Sequence, residues 1–372
     1  MDITIEQADL ADALAKCAGV IDTRSTSDVA KAVLLTAESK ALVLECRGGG
    51  CYLRLEVPCR VRAEGRVLVK AAAVLPVVQY MPPGEISVLV KQGRNASRLQ
   101  VAVGTSRAWV PMLDDDDAMP GPGYEHIERV LTMDGGALSQ MMREVAPAVC
   151  GDEYNPLYGA LLELSERVTV VATDGHVLAA STSDGDWRDP HDCTAVAVPP
   201  QAARALERLP AEGEKWQIEL WTHRGTVSVA AEGPGCLLHI TGTGAQWPDW
   251  RQMLPASSIY TASLRRAEMV RAVRASTIVP RDQPCASVWG WGEDRVVIET
   301  NDPERGDSRV EVSVRGSGSA RLGLSLALMV PLMRAMADET VDVAVSGELS
   351  PMVMTPRGRD DVGWVLSPMK LR

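Results

Sequence analysis

An α+β protein built from three similar domains in tandem is the fold class this sequence predicts. Apolar residues that open a helical stripe recur at Leu10, Leu138 and Met269, 128 and 131 residues apart. Val69, Val198 and Leu324 each precede a second helical stretch, at intervals of 129 and 126 residues. Loop-rich breaks at 114–123 and near 254–257 separate the passes, giving domains over 1–122, 123–254 and 255–372. A period this long means tandem domains and not a solenoid of about 20–50-residue units. The order within each pass, strand, helix, strands, helix, strands, puts two helices on one face of a sheet.

In the first pass, Ile3 and Ile5 alternate as a strand. A helix over 7–20 follows, because Leu10, Leu14 and Cys17 share a face at i, i+4 and i+7. Alternation predicts strands at 32–36, 41–45 and 52–57; 67–69 then leads into an Ala-rich helix over 71–80, closed by Met81-Pro-Pro-Gly84. Strands 86–90 and 99–103 precede Ser106-Arg-Ala-Trp-Val-Pro-Met-Leu113. Four consecutive aspartates, 114–117, followed by Pro and Gly can continue neither a strand nor a helix, so a loop is expected there. Solvation is the first reading of those carboxylates and a metal site the alternative.

The second pass restarts with a strand over 126–133 and a helix over 137–145, with Leu138, Met142 and Val145 on one face. A meander follows: a strand over 158–164, then two β-branched runs joined at Asp174-Gly175, a dipeptide that tolerates the positive φ of a tight hairpin turn. Val196-Ala-Val198 leads into a helix ending near Leu209, and strands 216–220 and 226–230 come next. The third pass has a strand over 259–264, a helix to about Ser276 with Met269 and Val273 inward, strands, a helix over 326–336, and a closing strand pair.

Composition excludes several classes. No apolar run approaches the roughly 18 residues of a membrane span, and the N-terminal residues lack a signal-peptide pattern, so a cytoplasmic protein is expected. The eight cysteines form no C-x-x-C pair and the five histidines no metal-ligand spacing, which points to free thiols and to no metal or other cofactor. A net charge of −11 argues against general electrostatic binding of nucleic acid, so any DNA contact must come from a local basic surface or from topology. No P-loop, dinucleotide fingerprint or nucleophile elbow is present. An enzyme using His176 beside Asp174 is the outlying reading, because adjacent turn positions rarely aim at one substrate atom.

Three motifs then stand in a telling order: Thr173-Asp-Gly-His176, Gln246-Trp-Pro-Asp-Trp-Arg-Gln-Met-Leu-Pro255, and Trp364-Val-Leu-Ser-Pro-Met-Lys-Leu371. In order and spacing the chain resembles, end to end, the bacterial DNA polymerase III beta subunit family, the sliding clamps. The resemblance implies the DNA clamp fold: a homodimeric ring whose helices line the inner face, with sheets outside. Such a ring encircles double-stranded DNA without regard to sequence and tethers a polymerase. Six helices, each about 10 Å across, are half of the eleven or twelve needed around a bore of about 35 Å, so a head-to-tail dimer is the natural closure. The replicative polymerase and an ATP-driven clamp loader would dock through short linear peptides ending in apolar residues.

By the same resemblance, the peptide pocket would be lined by Leu157, Thr173, Gly175, His176, Val177, Leu178, Pro248, Gln252 and Met253, with Ser325, Leu328, Leu349, Val365, Leu366, Pro368 and Met369. A closing strand packed into core is the alternative for Val365, Leu366 and Met369. Val177 and Gln252 stand where the family usually has Arg, and Leu328 where it has an aromatic, implying an altered peptide preference. The subunit contact would pair Ala108, Trp109 and Val110 with Ile278 and Val279 of the other chain, for which core is the alternative; Ala108 replaces a usual Phe. Candidate DNA-facing groups are Arg24, Lys70, Arg143, Arg204, Arg208, Arg271, Arg274 and Arg334, each of which could equally be a solvated charge. Pro200 and Gln201 replace expected basic residues. A clamp-like regulator that binds replication partners without efficiently encircling DNA is the alternative function.

Overall fold

The computed structural model of the chain describes residues 1–23, 25–91, 97–113, 129–165, 167–187, 194–223, 226–255, 257–276, 286–302 and 306–371. The first stretch forms β1 (Asp2–Glu6), α1 (Gln7–Val20), β2 (Ala32–Glu38), β3 (Ala41–Gly48), β4 (Cys51–Pro58), β5 (Arg60–Ala63), β6 (Gly65–Lys70), α2 (Ala71–Tyr80), β7 (Glu85–Lys91), β8 (Arg98–Val103) and β9 (Ser106–Leu113). The middle stretch forms β10 (Arg129–Asp134), α3 (Gly135–Val145), β11 (Ala160–Leu164), β12 (Arg167–Thr173), β13 (Val177–Asp184), β14 (Asp186–Trp187), β15 (Thr194–Val198), α4 (Pro200–Arg208), β16 (Lys215–His223), β17 (Thr226–Gly233) and β18 (Cys236–Thr241). The last forms β19 (Tyr260–Arg265), α5 (Arg266–Ala275), β20 (Ala286–Trp291), β21 (Arg295–Asp302), β22 (Gly306–Ser313), β23 (Arg315–Ser317), β24 (Ala320–Ser325), α6 (Leu326–Ala335), β25 (Thr340–Val345), β26 (Met352–Pro356) and β27 (Val362–Leu366).

Six helices fall where the sequence predicts them. The α1 stripe buries Leu10, Ala13, Leu14, Cys17 and Val20, the i, i+3, i+4, i+7 set that makes a helix amphipathic. Helix α3 begins two residues before its expected start: Asp134 Oδ1 accepts from the Ala137 amide at 3.0 Å, which lets two glycines serve as the first turn. A side chain at Gly135 would meet the Ala211 carbonyl at 2.6 Å, so glycine is required there despite its poor helix propensity. Helices α2 and α6 are both ten residues long, and each carries a proline at its sixth position, Pro76 and Pro331. The ring of each faces solvent, and alanine stands four residues earlier in both, at Ala72 and Ala327. Strands β5, β9, β14 and β18 were not anticipated; in β18 the adjacent Leu237 and Leu238 break simple alternation. The strand expected over 126–133 is seen from Arg129, its earlier residues lying outside the described ones, as does the 114–117 aspartate run.

The chain packs as two compact units: Met1–Ser139 with Gly185–His191 and Val198–Gly244, and Gln140–Asp184 with Asp192–Ala197 and Ala245–Arg372. The first holds one antiparallel 14-stranded sheet, in the order β14-β10-β16-β17-β18-β4-β3-β2-β6-β9-β8-β7-β1-β5. Its continuity rests on β18 pairing β4, with Cys51 opposite Ile240 and Leu53 opposite Leu238. Helix α1 packs on β3 and β4 and against α2 and α4. The second unit holds a nine-stranded sheet, β15-β11-β12-β13-β27-β26-β25-β19-β23, and a four-stranded sheet, β22-β21-β20-β24. Here β13 pairs β27, with Val177 opposite Leu366 and Leu178 opposite Val365.

Candidate docking and nucleic-acid-facing surfaces

The β12–β13 turn is built by its own side chains. Asp174 Oδ1 accepts from the amides of His176 and Val177, both at 2.8 Å, and Thr173 Oγ1 accepts from the Gly175 amide at 3.2 Å. Gly175 takes a φ of +89°, the left-handed region that an L side chain resists. The aspartate therefore shapes the turn. The side chain of His176 is exposed, and its backbone carbonyl accepts from Ser367 at 2.9 Å.

That last bond brings the C-terminal segment to the turn. Strand β27 ends at Leu366, flanked by Val177 of β13 on one side and Met352 of β26 on the other. The β25–β26 connection, which carries Leu349, therefore lies at the same end of the sheet as the 174–176 turn. The β11–β12 register places Leu157 toward that end as well. Beyond Ser367, the Met369 amide donates to the Gly323 carbonyl at 2.7 Å, just before Ser325 and α6, which carries Leu328. A Cβ at Gly323 would stand 2.4 Å from the Met369 carbonyl and 2.8 Å from Leu371 Cδ2. Glycine is what lets the C-terminal segment lie on β24.

The Trp-Pro-Asp-Trp segment is pinned from below. Trp250 joins a buried cluster with Leu161, Val171, Leu178, Ala197 and Val365, and its Nε1 donates to Glu163 at 3.2 Å. Arg251 lies over the Trp250 ring, 4.4 Å from its centre, and donates both terminal nitrogens to Glu163, at 3.2 and 2.8 Å. Asp249 caps the short 3₁₀ turn Trp250–Met253 and accepts from Gln252 Nε2 at 3.2 Å. With these groups fixed, Pro248, Gln252 and Met253 are left exposed, Met253 by 41%.

Of the sixteen predicted pocket residues, Gly175, His176, Pro248, Gln252, Met253 and Leu349 are exposed, and Leu157, Leu328, Pro368 and Met369 half-buried. Thr173, Val177, Leu178, Ser325, Val365 and Leu366 are buried, Leu366 completely, so these six support the surface from beneath. Sequence reasoning missed Gly323, Glu163 and Arg251. A glycine inside a strand pattern was the available signal for the first; the other two act through partners 87 and 88 residues away, which no local pattern reveals. Five of the seven exposed large apolar side chains among the described residues, Tyr154, Met253, Leu254, Ile259 and Leu349, fall in this second unit.

The basic candidates sit on helix faces. Arg204 and Arg208 are exposed on α4, opposite buried Ala202 and Leu206. Arg271 and Arg274 are exposed on α5, away from buried Met269 and Val273; Arg143 and Arg334 are exposed on α3 and α6. Lys70 is held by Asp28 at 2.7 Å, so its charge is already offset. Arg24 lies outside the described residues, as do Ile278 and Val279. Ala108, Trp109 and Val110 are in β9: Val110 is buried and Trp109 is 52% exposed. Gln201 is buried against Gly49.

Among the described residues, no three His, Cys, Asp or Glu side chains converge as metal ligands, and no helix is long and apolar enough to cross a membrane. Burial pushes the Cys51 and Cys236 thiols up to about 12, which makes them poor nucleophiles.

Residues 1–119 match the family of the N-terminal domain of the DNA polymerase III beta subunit. Over the full length of both proteins, the chain is 24% identical to the beta sliding clamp of Pseudomonas putida KT2440 and 22% identical to that of Synechococcus elongatus. Among solved structures, it matches the DNA polymerase III subunit beta from Pseudomonas aeruginosa with a TM-score of 0.83 at 23% identity, each chain covered completely. It matches the beta subunit from Thermotoga maritima with a TM-score of 0.86 at 14% identity, again with complete coverage. The P. aeruginosa sliding clamp bound to griselimycin gives 0.86 at 23% identity, also over both full chains. The fold is thus the α+β clamp fold.

Proposed function

We propose that the chain is a divergent member of the DNA polymerase III beta subunit family and, on that premise, a polymerase processivity factor. Two chains close a ring around duplex DNA, and short peptides of the polymerase and the clamp loader dock at the end of the nine-stranded sheet. The role asks for no bond-making chemistry, only topology and docking. The three domains are those of the repeat, 1–122, 123–254 and 255–372.

One observation carries the ring. Cys51 pairs with Ile240 at the first junction between repeats, and Val177 with Leu366 at the second. Both members advance by 126 residues, so the two junctions share one register. The equivalent of β4 and β13 in the third repeat is β22, an edge strand of its sheet. The equivalent of β18 in the first repeat is β9: the tight turn pairing Gly233 with Cys236 matches the one pairing Val103 with Ser106. Strand β9 pairs β8 along 106–111 but meets β6 only at Met112 and Leu113. Two half-used strands of matching type remain, and β9 of one chain joining β22 of another makes the third junction by the same rule. Val110 then stands where Ile240 and Leu366 stand.

Once two copies close, exposed arginines on α3 to α6 meet phosphates by weak, sequence-blind contacts, enough for a net acidic ring to slide. The test is the solution mass by light scattering at low micromolar concentration. About 80 kDa, twice the 40.0 kDa chain, followed by retention on closed circular DNA after loading, is the expected result. About 40 kDa would overturn the ring and leave the regulator that binds partners without encircling DNA.

A further inference from the structure

Five arginines of the second unit are tied to carboxylates: Arg167 to Asp184, Arg251 to Glu163, Arg295 to Asp294 and Glu311, Arg309 to Glu299 and Glu311, and Arg359 to Glu144, Asp338 and Asp361. A concavity of about 400 Å³ at the β19–α5 junction gathers three arginines that are not. Arg265, Arg315 and Arg357 line it, with Ser313, Thr340 and Glu268. No ion pair engages any of the three arginines among the described residues, although the chain has 49 acidic residues to 38 basic ones.

The sheet brings them together. Arg315 stands opposite Ser263 on β19, Arg265 stands opposite Thr340 on β25, and the Arg357 amide donates to the Thr340 carbonyl at 3.0 Å. Ser263 and Arg265 alternate with buried Ala262 and Leu264, so the group lies on the sheet face turned away from the core. From β23 across β19 and β25 to the end of β26 is three strand spacings, about 14 Å. An arginine side chain reaches far enough to close much of that span. Asp342, on the neighbouring strand, accepts the Ser263 hydroxyl and pairs with none of the three arginines. Glu268 is the one acid lining the concavity, and with Asp342 beside it on the same face the local balance is still +1 in a chain of net −11.

We propose that this concavity is a binding site for a polyphosphate anion, a ligand carrying two or three phosphoryl groups. Guanidinium forks match phosphate oxygens bidentately, and the Ser313 and Thr340 hydroxyls are further donors. The volume lies within the range of small-molecule sites. Three separated positive centres suit several phosphoryl groups better than one carboxylate. The same chemistry could come from a free polyphosphate compound or from consecutive phosphates of a nucleic-acid strand.

The test is calorimetric titration of the full chain with inorganic tripolyphosphate, with a thymidine decanucleotide and a decaglutamate peptide as parallel arms. Tripolyphosphate is expected to bind, more weakly as salt rises. Each of R265Q, R315Q and R357Q should weaken it about tenfold or more, as losing a charge-assisted hydrogen bond does. The triple variant should lose binding while keeping its circular dichroism melt, since all three side chains are exposed; R321Q on β24 should bind as the unaltered chain does. A decanucleotide that binds far tighter than tripolyphosphate, through the same arginines, would assign the phosphates to a strand; the reverse order would assign them to a free compound. No binding at millimolar tripolyphosphate, undiminished binding by the triple variant, or decaglutamate binding equally well would each overturn the site.

Discussion

Replacing Gly323 with alanine should release the C-terminal segment and leave the rest of the second unit in place. The new methyl would lie 2.4 Å from the Met369 carbonyl, so either β24 or the segment must move. Strand β24 is tied to β20 by six consecutive residue pairs, from Ala286 opposite Ser325 to Trp291 opposite Ala320. The segment is tied by two backbone bonds, Ser367 to His176 at 2.9 Å and Met369 to Gly323 at 2.7 Å. The segment therefore yields, and the second bond is lost, at a cost of about 1 kcal/mol. Hydrogen exchange reads this directly: the Met369 amide should exchange roughly five- to tenfold faster, for 1–1.4 kcal/mol at RT of 0.59 kcal/mol, while the Leu322 and Leu324 amides are unchanged. A fluorescent decapeptide with an apolar C-terminal end should bind about tenfold more weakly, because Pro368 and Met369 no longer hold their places. Unchanged exchange at Met369 would refute the close approach. Faster exchange with unchanged peptide affinity would refute the assignment of this sheet end as the docking surface.

Glu144 is 1% exposed and accepts from Arg359 at 2.9 Å, Gln140 at 3.0 Å and Ser181 at 2.6 Å. Glu144→Ala leaves the half-buried Arg359 with Asp338 and Asp361 but strips a charge-assisted partner from it and from Ser181 and Gln140, and should cost about 1.5–3 kcal/mol in urea unfolding; a loss below 1 kcal/mol would mean the pair is not a structural clasp. Burial, with the Arg47 charge nearby, holds His239 down to about 4, below its ordinary value near 6.5. The folded state thus keeps it neutral, its contribution is whole above pH 6.5, and that stability drains away as pH falls toward 4. His239→Gln should flatten the fall in melting temperature between pH 6.5 and 4.5, and equal slopes in the two proteins would contradict the assignment. Trp109→Ala removes a half-exposed ring and should leave the melt nearly unchanged while moving the light-scattering mass toward 40 kDa; a mass that stays at twice the chain would exclude β9 from the subunit contact.

What could be read in the sequence was whatever is local. The α1 stripe, the Pro-Pro-Gly stop after α2 and the Asp174-Gly175 turn are set by neighbours within a few residues, and each lies where the spacing puts it. The 126–131-residue recurrence was legible too, because two helices per pass leave apolar marks at fixed points. What could not be read were pairings between distant segments. Nothing in Cys236-Leu-Leu-His-Ile-Thr241 announces that it will lie beside β4, some 185 residues earlier in the chain, and Leu237 on its half-buried face hides the alternation. Candidate docking residues could be named by resemblance, but the layering could not: Val177 and Leu366 look like pocket walls in a motif and are buried in three dimensions. Glu163 reads as an ordinary strand acid until Trp250 and Arg251 are seen to converge on it.

The three junctions of the proposed ring share one register, yet they differ in what fills them. The first places Leu53 against Leu238 and the second Leu178 against Val365, all buried, so each adds apolar burial to its backbone ladder. The third offers Ala108, Trp109 and Val110 from β9 against Gly306-Asp-Ser-Arg309 from β22, an exposed and polar edge. Backbone pairing is the same in all three, but the third lacks the chain connection that makes the others intramolecular, and its side chains add less from burial. A closed ring has to open somewhere to admit DNA without unfolding. In the proposed ring that place is the third junction, whose side chains bury the least apolar surface, and alanine at position 108 in place of a phenylalanine would leave it less still.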